Sequence, residues 1–294
     1  MTSLRHRIVS EYVRRTRGGA YASAATLHDK IRRRRRDRGF EPPHGLRRRV
    51  MVSRSDVAGW PCYTIRTRGT GSRGRLLYVH GGGFVFEITR HHWSFVTRLA
   101  IRLGVEVTVP IFPLAPEHSH RDAYPLLLAC YRELSQADGS VTVMGDSTGA
   151  TLALVTVQQA LRAGDAPPRR LVLISPLVDP ALANSAIAEV AGRDPWLGVD
   201  GLREGARLWS GGDDLADERL SPLNGRLDDL GTTVIVTGTR DITNPDTRVL
   251  RDKLIHSGVE VDYLERHGLI HVFPLLPVPE AAQIFEELAA TILT

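Results

Sequence analysis

The chain contains little cysteine, with two in 294 residues. Cys62 and Cys130 do not have the spacing of metal ligands, and their separation gives no reason to infer a disulfide. Such sparse use favours a reducing compartment, because structural disulfides belong to oxidising ones. Residues 1–10 lead into charge instead of the apolar core of a secretory signal. We therefore expect a cytoplasmic location.

Long apolar runs are also lacking. No run of about eighteen apolar residues is available for a transmembrane helix, so we expect no integral membrane segment. Lysine is scarce too: Lys30 and Lys253 are the only two, which leaves 36 of the 38 basic residues as arginine and a net charge of +5. Residues 32–36 are consecutive arginines, a pattern that can bind phosphates. Since the arginine bias extends over the whole chain and no aromatic platform for bases accompanies the run, we interpret it as a solvated helix face or linker and expect no nucleic-acid partner.

Sets of metal ligands are missing as well. His91 and His92 are adjacent, and His118 and His120 are two apart, but no carboxylate or cysteine set completes either group. We expect neither a metal ion nor a cofactor.

What the chain does have is a regular alternation of apolar runs, such as residues 171–174, with helix-like segments, such as 151–161 and 279–293. This rhythm is typical of an α/β protein with a mostly parallel central sheet flanked by helices. The first fifty residues differ, because apolar residues at helical spacing alternate there with arginines. The sequence therefore predicts an N-terminal helical segment over residues 1–50 and a main domain over 51–294.

Residues 145–149 read Gly-Asp-Ser-Thr-Gly, between an apolar run over 141–144 and a helix-like run over 151–161. Glycines two before and two after a serine allow a strand and a helix to meet in a very tight turn, the nucleophile elbow. Such a pattern also arises by chance in glycine-rich chains. In this context Ser147 is the candidate nucleophile.

Residues 80–84 read His-Gly-Gly-Gly-Phe and follow a second apolar run, 76–79. Three glycines in a row could form a plain flexible turn. Behind a strand, however, their free backbone N–H groups could meet the negative charge that develops on a carbonyl oxygen. Because this loop and the elbow occur together and in this order, we favour the catalytic interpretation of both.

A serine nucleophile of this kind is followed in the chain by an acid and then a histidine. Asp241 comes at the end of the β-branched run 234–238, and open α/β sheets bind ligands at the carboxyl ends of their strands. Asp246 is the competing acid, but it is more typical of the first turn of a helix. For the base, a predicted strand over 259–264 precedes a loop that carries His267 and His271, and position alone does not separate them.

These motifs resemble those of the hormone-sensitive-lipase-like (bacterial family IV) esterases of the α/β-hydrolase superfamily. The similarity covers about residues 60–294 and includes Leu-Ala-Pro-Glu-His at 114–118, Ser175-Pro176, and His271 two before Phe273. It implies an α/β-hydrolase fold in which Ser147, Asp241 and His271 form the catalytic triad. The family pattern is also what selects His271 over His267.

The resemblance further implies an oxyanion hole formed by the backbone N–H groups of Gly81, Gly82 and Thr148. His80 and Gly83 would support the glycine loop. It also implies that the N-terminal segment joins an insertion at about residues 181–225 as a helical cap over the site. Association as a homodimer through the edge of the sheet is common in that family.

The function implied is serine carboxylic ester hydrolysis of short- to medium-chain acyl esters through an acyl-enzyme intermediate. Thr148 and Val272 replace smaller residues that are usual in the family, which narrows the space beside the nucleophile and favours short chains. Lactone or amide-type hydrolysis would use the same triad. A non-catalytic ligand-binding protein is the alternative from another class, since fold does not fix function.

Overall fold

A computed structural model describes residues 2–34, 39–69, 71–136 and 141–293. In this part of the chain eight strands form one sheet in the order β1-β2-β4-β3-β5-β6-β7-β8. β1 and β2 pair antiparallel to their neighbours, and all other pairs are parallel. The predicted mostly parallel sheet is confirmed. The strands are β1 (Met51–Val57), β2 (Trp60–Arg66), β3 (Arg75–Val79), β4 (Glu106–Pro110), β5 (Val141–Asp146), β6 (Arg170–Ile174), β7 (Thr232–Arg240) and β8 (Val261–Ile270).

Helices cover both faces of the sheet, because the side chains of its central strands are apolar in both directions. Along β6, for example, Leu171 and Leu173 pack into the core on one face, and Val172 and Ile174 into the core on the other. The first core includes helices α4 (His120–Ser135), α5 (Thr148–Arg162) and α8 (Asn244–His256), and the second includes α3 (Arg90–Leu103) and α9 (Pro279–Leu293). Among the described helices, none is long and apolar enough to span a lipid bilayer.

The N-terminal residues form α1 (Leu4–Thr16) and α2 (Ala24–Arg34). Between β6 and β7 the chain forms α6 (Ile187–Ala191) and α7 (Val199–Ser210), and α2 packs against α7. Just before α2 the chain also approaches α7 closely: a Cβ atom at Gly201 would overlap the backbone of Tyr21, and the Gly201 N–H donates to the Tyr21 carbonyl at 3.1 Å. The N-terminal segment and the insertion therefore touch, as a shared cap requires. The domain boundaries at residues 50, 181 and 225 stay a prediction.

The first three arginines of the run 32–36 end α2, and the other two lie outside the described residues. Arg32 and Arg33 are exposed and pair with Asp29. Arg34 instead turns inward: it donates to the carbonyls of Val85 and Ala115, the latter at 3.2 Å. Arg32 and Arg33 are thus on a solvated helix face, as predicted for this run. Arg34 differs, because it binds the backbone at Val85 and Ala115.

Candidate active site

Ser147 stands alone between β5 and α5, in a backbone conformation (φ 54°, ψ −125°) that is costly for any residue with a side chain. The turn is compact because Gly145 and Gly149 lie against other backbone atoms. A Cβ atom at Gly145 would overlap the backbone of Gly149, and one at Gly149 would overlap the carbonyls of Val79 and His80. The two glycines of the motif are therefore required by packing, and the turn carries the serine side chain to the wall of a cavity.

The structure brings Ser147, His271 and Asp241 into one chain of hydrogen bonds. Ser147 Oγ lies 2.8 Å from His271 Nε2, and His271 Nδ1 lies 2.9 Å from Asp241 Oδ2. The other carboxylate oxygen, Oδ1, accepts bonds from the backbone N–H of Thr243 at 3.0 Å and from its hydroxyl at 2.9 Å. An ionised carboxylate only accepts, so the proton of a neutral imidazole is on Nδ1 and the Nε2 lone pair faces the serine hydroxyl. This arrangement allows the imidazole to take the hydroxyl proton.

The two alternatives from the sequence lie elsewhere. β8 continues to Ile270, so the predicted loop after residue 264 was wrong, and His267 is an exposed residue of that strand. Asp246 is in the first turn of α8, where its Oδ1 accepts a bond from Asn184 Nδ2 at 2.8 Å. Neither side chain contacts Ser147 within the described hydrogen-bond network.

His271 is buried, and burial by itself lowers the pKa of an imidazole. The charge and hydrogen bond of Asp241 oppose this effect, with further contributions from Asp194 and Asp146, and the pKa of His271 is raised above 6.5. The surrounding carboxylates therefore favour the imidazolium that forms when the histidine accepts a proton.

The glycine loop is fixed by Asp146, the residue before the serine. The Gly81 N–H donates to Asp146 Oδ1 at 3.1 Å, so this N–H is not free for a substrate oxyanion and the prediction that Gly81 is a donor does not fit the geometry. Among the described residues, no acceptor is found for the backbone N–H groups of Gly82, Gly83 and Thr148. The predicted donors were the N–H groups of Gly81, Gly82 and Thr148. The geometry instead favours those of Gly82, Gly83 and Thr148.

Two more donors hold the Asp146 carboxylate. Tyr78 Oη donates at 2.5 Å, and His92 Nε2 lies 3.3 Å away. His92 Nδ1 accepts the backbone N–H of Thr89 at 2.9 Å, which leaves Nε2 as the protonated nitrogen. Burial raises the pKa of Asp146, but His92, the Tyr78 hydroxyl and His80 outweigh it and lower the pKa.

His80 lies behind the loop, stacked on Phe112 with 4.4 Å between ring centroids. Burial and the charge of His92 lower the pKa of His80 to about 4, so the ring is neutral near pH 7. Its Nδ1 lies 2.8 Å from the Gly81 carbonyl, where it donates. Gly83 has a φ of +63°, and a Cβ atom there would collide with the Tyr21 hydroxyl. Both residues therefore shape the loop, and the His80 ring bonds to the Gly81 carbonyl and not to Ser147.

The cavity beside Ser147 has a volume of about 280 Å³. Its wall includes Val13 and Tyr21 from the N-terminal segment and Leu202 from the insertion, so both parts of the predicted cap contribute to it. The Trp196 indole packs perpendicular to the His271 ring, with 5.9 Å between centroids and planes at 90°. Across residues 2–34, 39–69, 71–136 and 141–293, no group of three or more His, Cys, Asp and Glu residues is arranged to hold a metal ion.

Sequence reasoning missed two polar residues that support the site, Thr243 and Asp194. Thr243 binds the carboxylate of Asp241 and follows it by two residues, a spacing typical of local turns. Asp194 belongs to the insertion and is partly buried beside Asp241. Its one signal in the sequence is the Asp-Pro pair that it forms with Pro195, which indicates a turn but not a place near the site.

Comparison with known proteins gives consistent matches. A family model described as the alpha/beta hydrolase fold matches residues 76–275. An esterase from Acinetobacter venetianus is 28% identical over 221 residues, which cover 73% of each chain. An acetyl-hydrolase from Streptomyces hygroscopicus is 30% identical over 209 residues, which cover 69% of this chain and 70% of that one. The crystal structure of a hormone-sensitive lipase from a metagenome library superposes with a TM-score of 0.83 and 26% identity, covering 100% of this chain and 99% of the other. With the family model spanning most of the sequence, the chain belongs to the α/β-hydrolase family.

Proposed function

We propose that the protein is a serine carboxylic ester hydrolase of the hormone-sensitive-lipase-like group. The observation that carries this proposal is the hydrogen-bonded series of Ser147, His271 and Asp241 on the wall of a cavity, next to the backbone N–H groups of the glycine loop. The same geometry recurs in serine hydrolases of unrelated folds, because it is the roles and not the fold that the reaction requires. The esterase and acetyl-hydrolase names of the relatives agree with it.

In the proposed reaction Ser147 Oγ attacks the carbonyl carbon of the ester while His271 Nε2 takes the hydroxyl proton. The tetrahedral oxyanion is held by the N–H groups of Gly82, Gly83 and Thr148. His271 then returns the proton to the leaving alcohol, which leaves an acyl group on Ser147. A water molecule attacks this acyl-enzyme with His271 again as base, and the acid is released. Asp241 keeps the imidazole oriented and stabilises its cationic form throughout.

The size of the cavity supports short acyl chains as the substrate class. Its volume of about 280 Å³ is slightly below the roughly 300–1,000 Å³ that is usual for ligand sites. Val272, Leu275 and Leu276 line it directly after the histidine, and Tyr21 lines it on the side of the glycine loop. These side chains are largely buried and packed, so a long acyl chain requires them to move.

Labelling with a fluorophosphonate, followed by peptide mass mapping, tests the proposed nucleophile. We expect a covalent adduct on Ser147 that is lost in S147A and strongly reduced in H271A. H267A is the matched control, because it removes an exposed histidine four residues before His271. A folded protein that the probe leaves unlabelled would favour a non-catalytic binding role.

A panel of p-nitrophenyl esters tests the substrate class. We expect kcat/KM to be highest for acetyl to butyryl esters and to fall by about tenfold or more at decanoyl, because each extra methylene must displace packed side chains. Highest activity on the longest esters would contradict the proposed short-chain preference while leaving ester hydrolysis in place.

We also propose a cytoplasmic homodimer. The location is supported by the scarcity of cysteine, two in 294 residues, because structural disulfides belong to oxidising compartments. β8 is an edge strand of the described sheet and offers unpaired backbone groups to a second copy. Light scattering coupled to size-exclusion chromatography checks the association, and a monomer at micromolar concentration would rule out the dimer.

A further inference from the structure

Asp194 connects the insertion between β6 and β7 to the segment that carries Asp241. Its Oδ1 accepts the backbone N–H groups of Trp196 at 2.8 Å and Leu197 at 3.1 Å. Its Oδ2 accepts the N–H of Ile242 at 2.9 Å, and Ile242 is the residue directly after Asp241. One carboxylate thus fixes two separate stretches of backbone, 48 residues apart.

A second contact holds the same two stretches together on the other side of Asp241. Arg240 donates to the carbonyl of Arg193, from Nε at 3.2 Å and from Nη2 at 3.1 Å. On the side of the cavity, the Trp196 indole packs perpendicular to the ring of His271. Residues 193–197 are therefore bound to the segment that carries Asp241, and Trp196 in this stretch contacts His271.

The charges around His271 come from several elements. Asp241 follows β7, Asp146 ends β5, Asp194 belongs to the insertion, and the guanidinium of Arg240 is bound to the insertion backbone. Burial, followed by the charge of Asp241, raises the pKa of Asp194 to about 6, while His271 and the backbone donors favour its ionised form. At neutral pH Asp194 is therefore a second anion beside the proposed catalytic histidine.

We propose that Asp194 is a positioning residue for the ester hydrolysis proposed above: it aligns the segment of Asp241 with the insertion, and its negative charge stabilises the imidazolium of His271. Asp194 reaches neither Ser147 nor the cavity, so it acts through its neighbours. Two effects follow from one side chain. The position of Asp241 affects kcat, because this carboxylate must hold the His271 imidazole in line with Ser147. Charge affects the pH at which His271 becomes the neutral base.

The variant Asp194→Asn separates these effects from substrate binding. Asparagine has nearly the same size, but it lacks the charge, and its amide group places a donor against one of the backbone N–H groups. We expect kcat to fall by about tenfold and KM to stay within about threefold. Because a nearby anion has been removed, the pKa of His271 falls, and the acidic limb of kcat/KM moves to lower pH by about 0.3 to 1 unit. Rates are expressed per fluorophosphonate-reactive serine, so that misfolded protein does not count.

Two further variants complete the experiment. Asp194→Glu keeps the charge but changes its reach, so we expect a lower kcat with the acidic limb unchanged. It also keeps the proposal testable if Asp194→Asn does not fold. Asp200→Asn is the matched control, because Asp200 is an exposed residue at the start of α7 in the same insertion, and both kcat and the pH profile should stay at wild-type values.

The outcomes distinguish this inference from the proposed function on which it rests. If the wild type hydrolyses esters and S147A does not, but Asp194→Asn has the wild-type pH profile and kcat, the role of Asp194 is refuted and the esterase stands. A wild-type kcat in Asp194→Glu refutes the placement role as well. If the folded wild type hydrolyses no ester of the panel, the proposed function itself fails.

Discussion

Replacement of Tyr78 by phenylalanine tests how the glycine loop is held. The Tyr78 hydroxyl donates at 2.5 Å to Asp146, a buried carboxylate that also accepts the N–H of Gly81. A hydrogen bond to a charged group contributes about 1.5–3 kcal/mol to stability, against about 0.5–1.5 kcal/mol for a neutral acceptor. Phenylalanine keeps the ring and leaves almost no cavity, so we expect the free energy of unfolding to fall by about 2 kcal/mol, roughly a 30-fold change in the unfolding constant.

Tyr131→Phe is the matched control. The Tyr131 side chain is equally buried, but its hydroxyl donates at 2.6 Å to a neutral acceptor, the backbone carbonyl of Ala166, so we expect a loss of about 1 kcal/mol. Urea unfolding at pH 7, with unchanged m-values, measures both losses. Tyr78→Phe should also lower kcat while Tyr131→Phe leaves it unchanged, because only Tyr78 acts on the glycine loop. Equal losses of stability in the two variants would refute the charged hydrogen bond as the source of the effect.

Three other predictions concern the site itself. Because the pKa of His271 is raised above 6.5 and the base must be neutral, activity is lost as pH falls through that raised value. A midpoint of the kcat/KM profile below 6.5 would contradict this electrostatic environment. Gly83→Ala should reduce kcat by about 10²- to 10³-fold, whereas Gly19→Ala, where a Cβ atom meets nothing within 4 Å, should leave steady-state rates unchanged. Thr243→Val removes a hydroxyl that donates to Asp241 and should lower kcat by about tenfold with a small change in Tm; wild-type kcat would show that the backbone N–H of Thr243 suffices.

The nucleophile turn and the parallel sheet could be predicted because their signals are local. Gly145 and Gly149 are required by contacts within the turn and with the neighbouring strand end, so they appear in the sequence at fixed offsets from Ser147. A run of β-branched residues such as 234–236 indicates a strand that is buried on both faces. The acid follows from the same pattern, because Asp241 comes where such a strand ends.

The choice of histidine and the set of free N–H groups depend on contacts between residues far apart in the sequence. Position could not separate His267 from His271, because the extension of β8 to Ile270 depends on pairing with β7 and not on its own apolar pattern. The N–H of Gly81 looks as free as that of Gly82 in the sequence, and only the approach of Asp146, 65 residues away, occupies it.

By itself, the sequence determined the layered α/β architecture, the strained serine turn and the identity of the residues that could react, since backbone preferences and burial periodicity act over a few neighbours. The tertiary structure alone decided which N–H groups stay free, which histidine faces Ser147 and that Asp194 lies beside Asp241. The physical reason is that a hydrogen bond depends on distances of about 3 Å between groups far apart in the chain, and such distances exist only once the sheet, the N-terminal segment and the insertion have packed together.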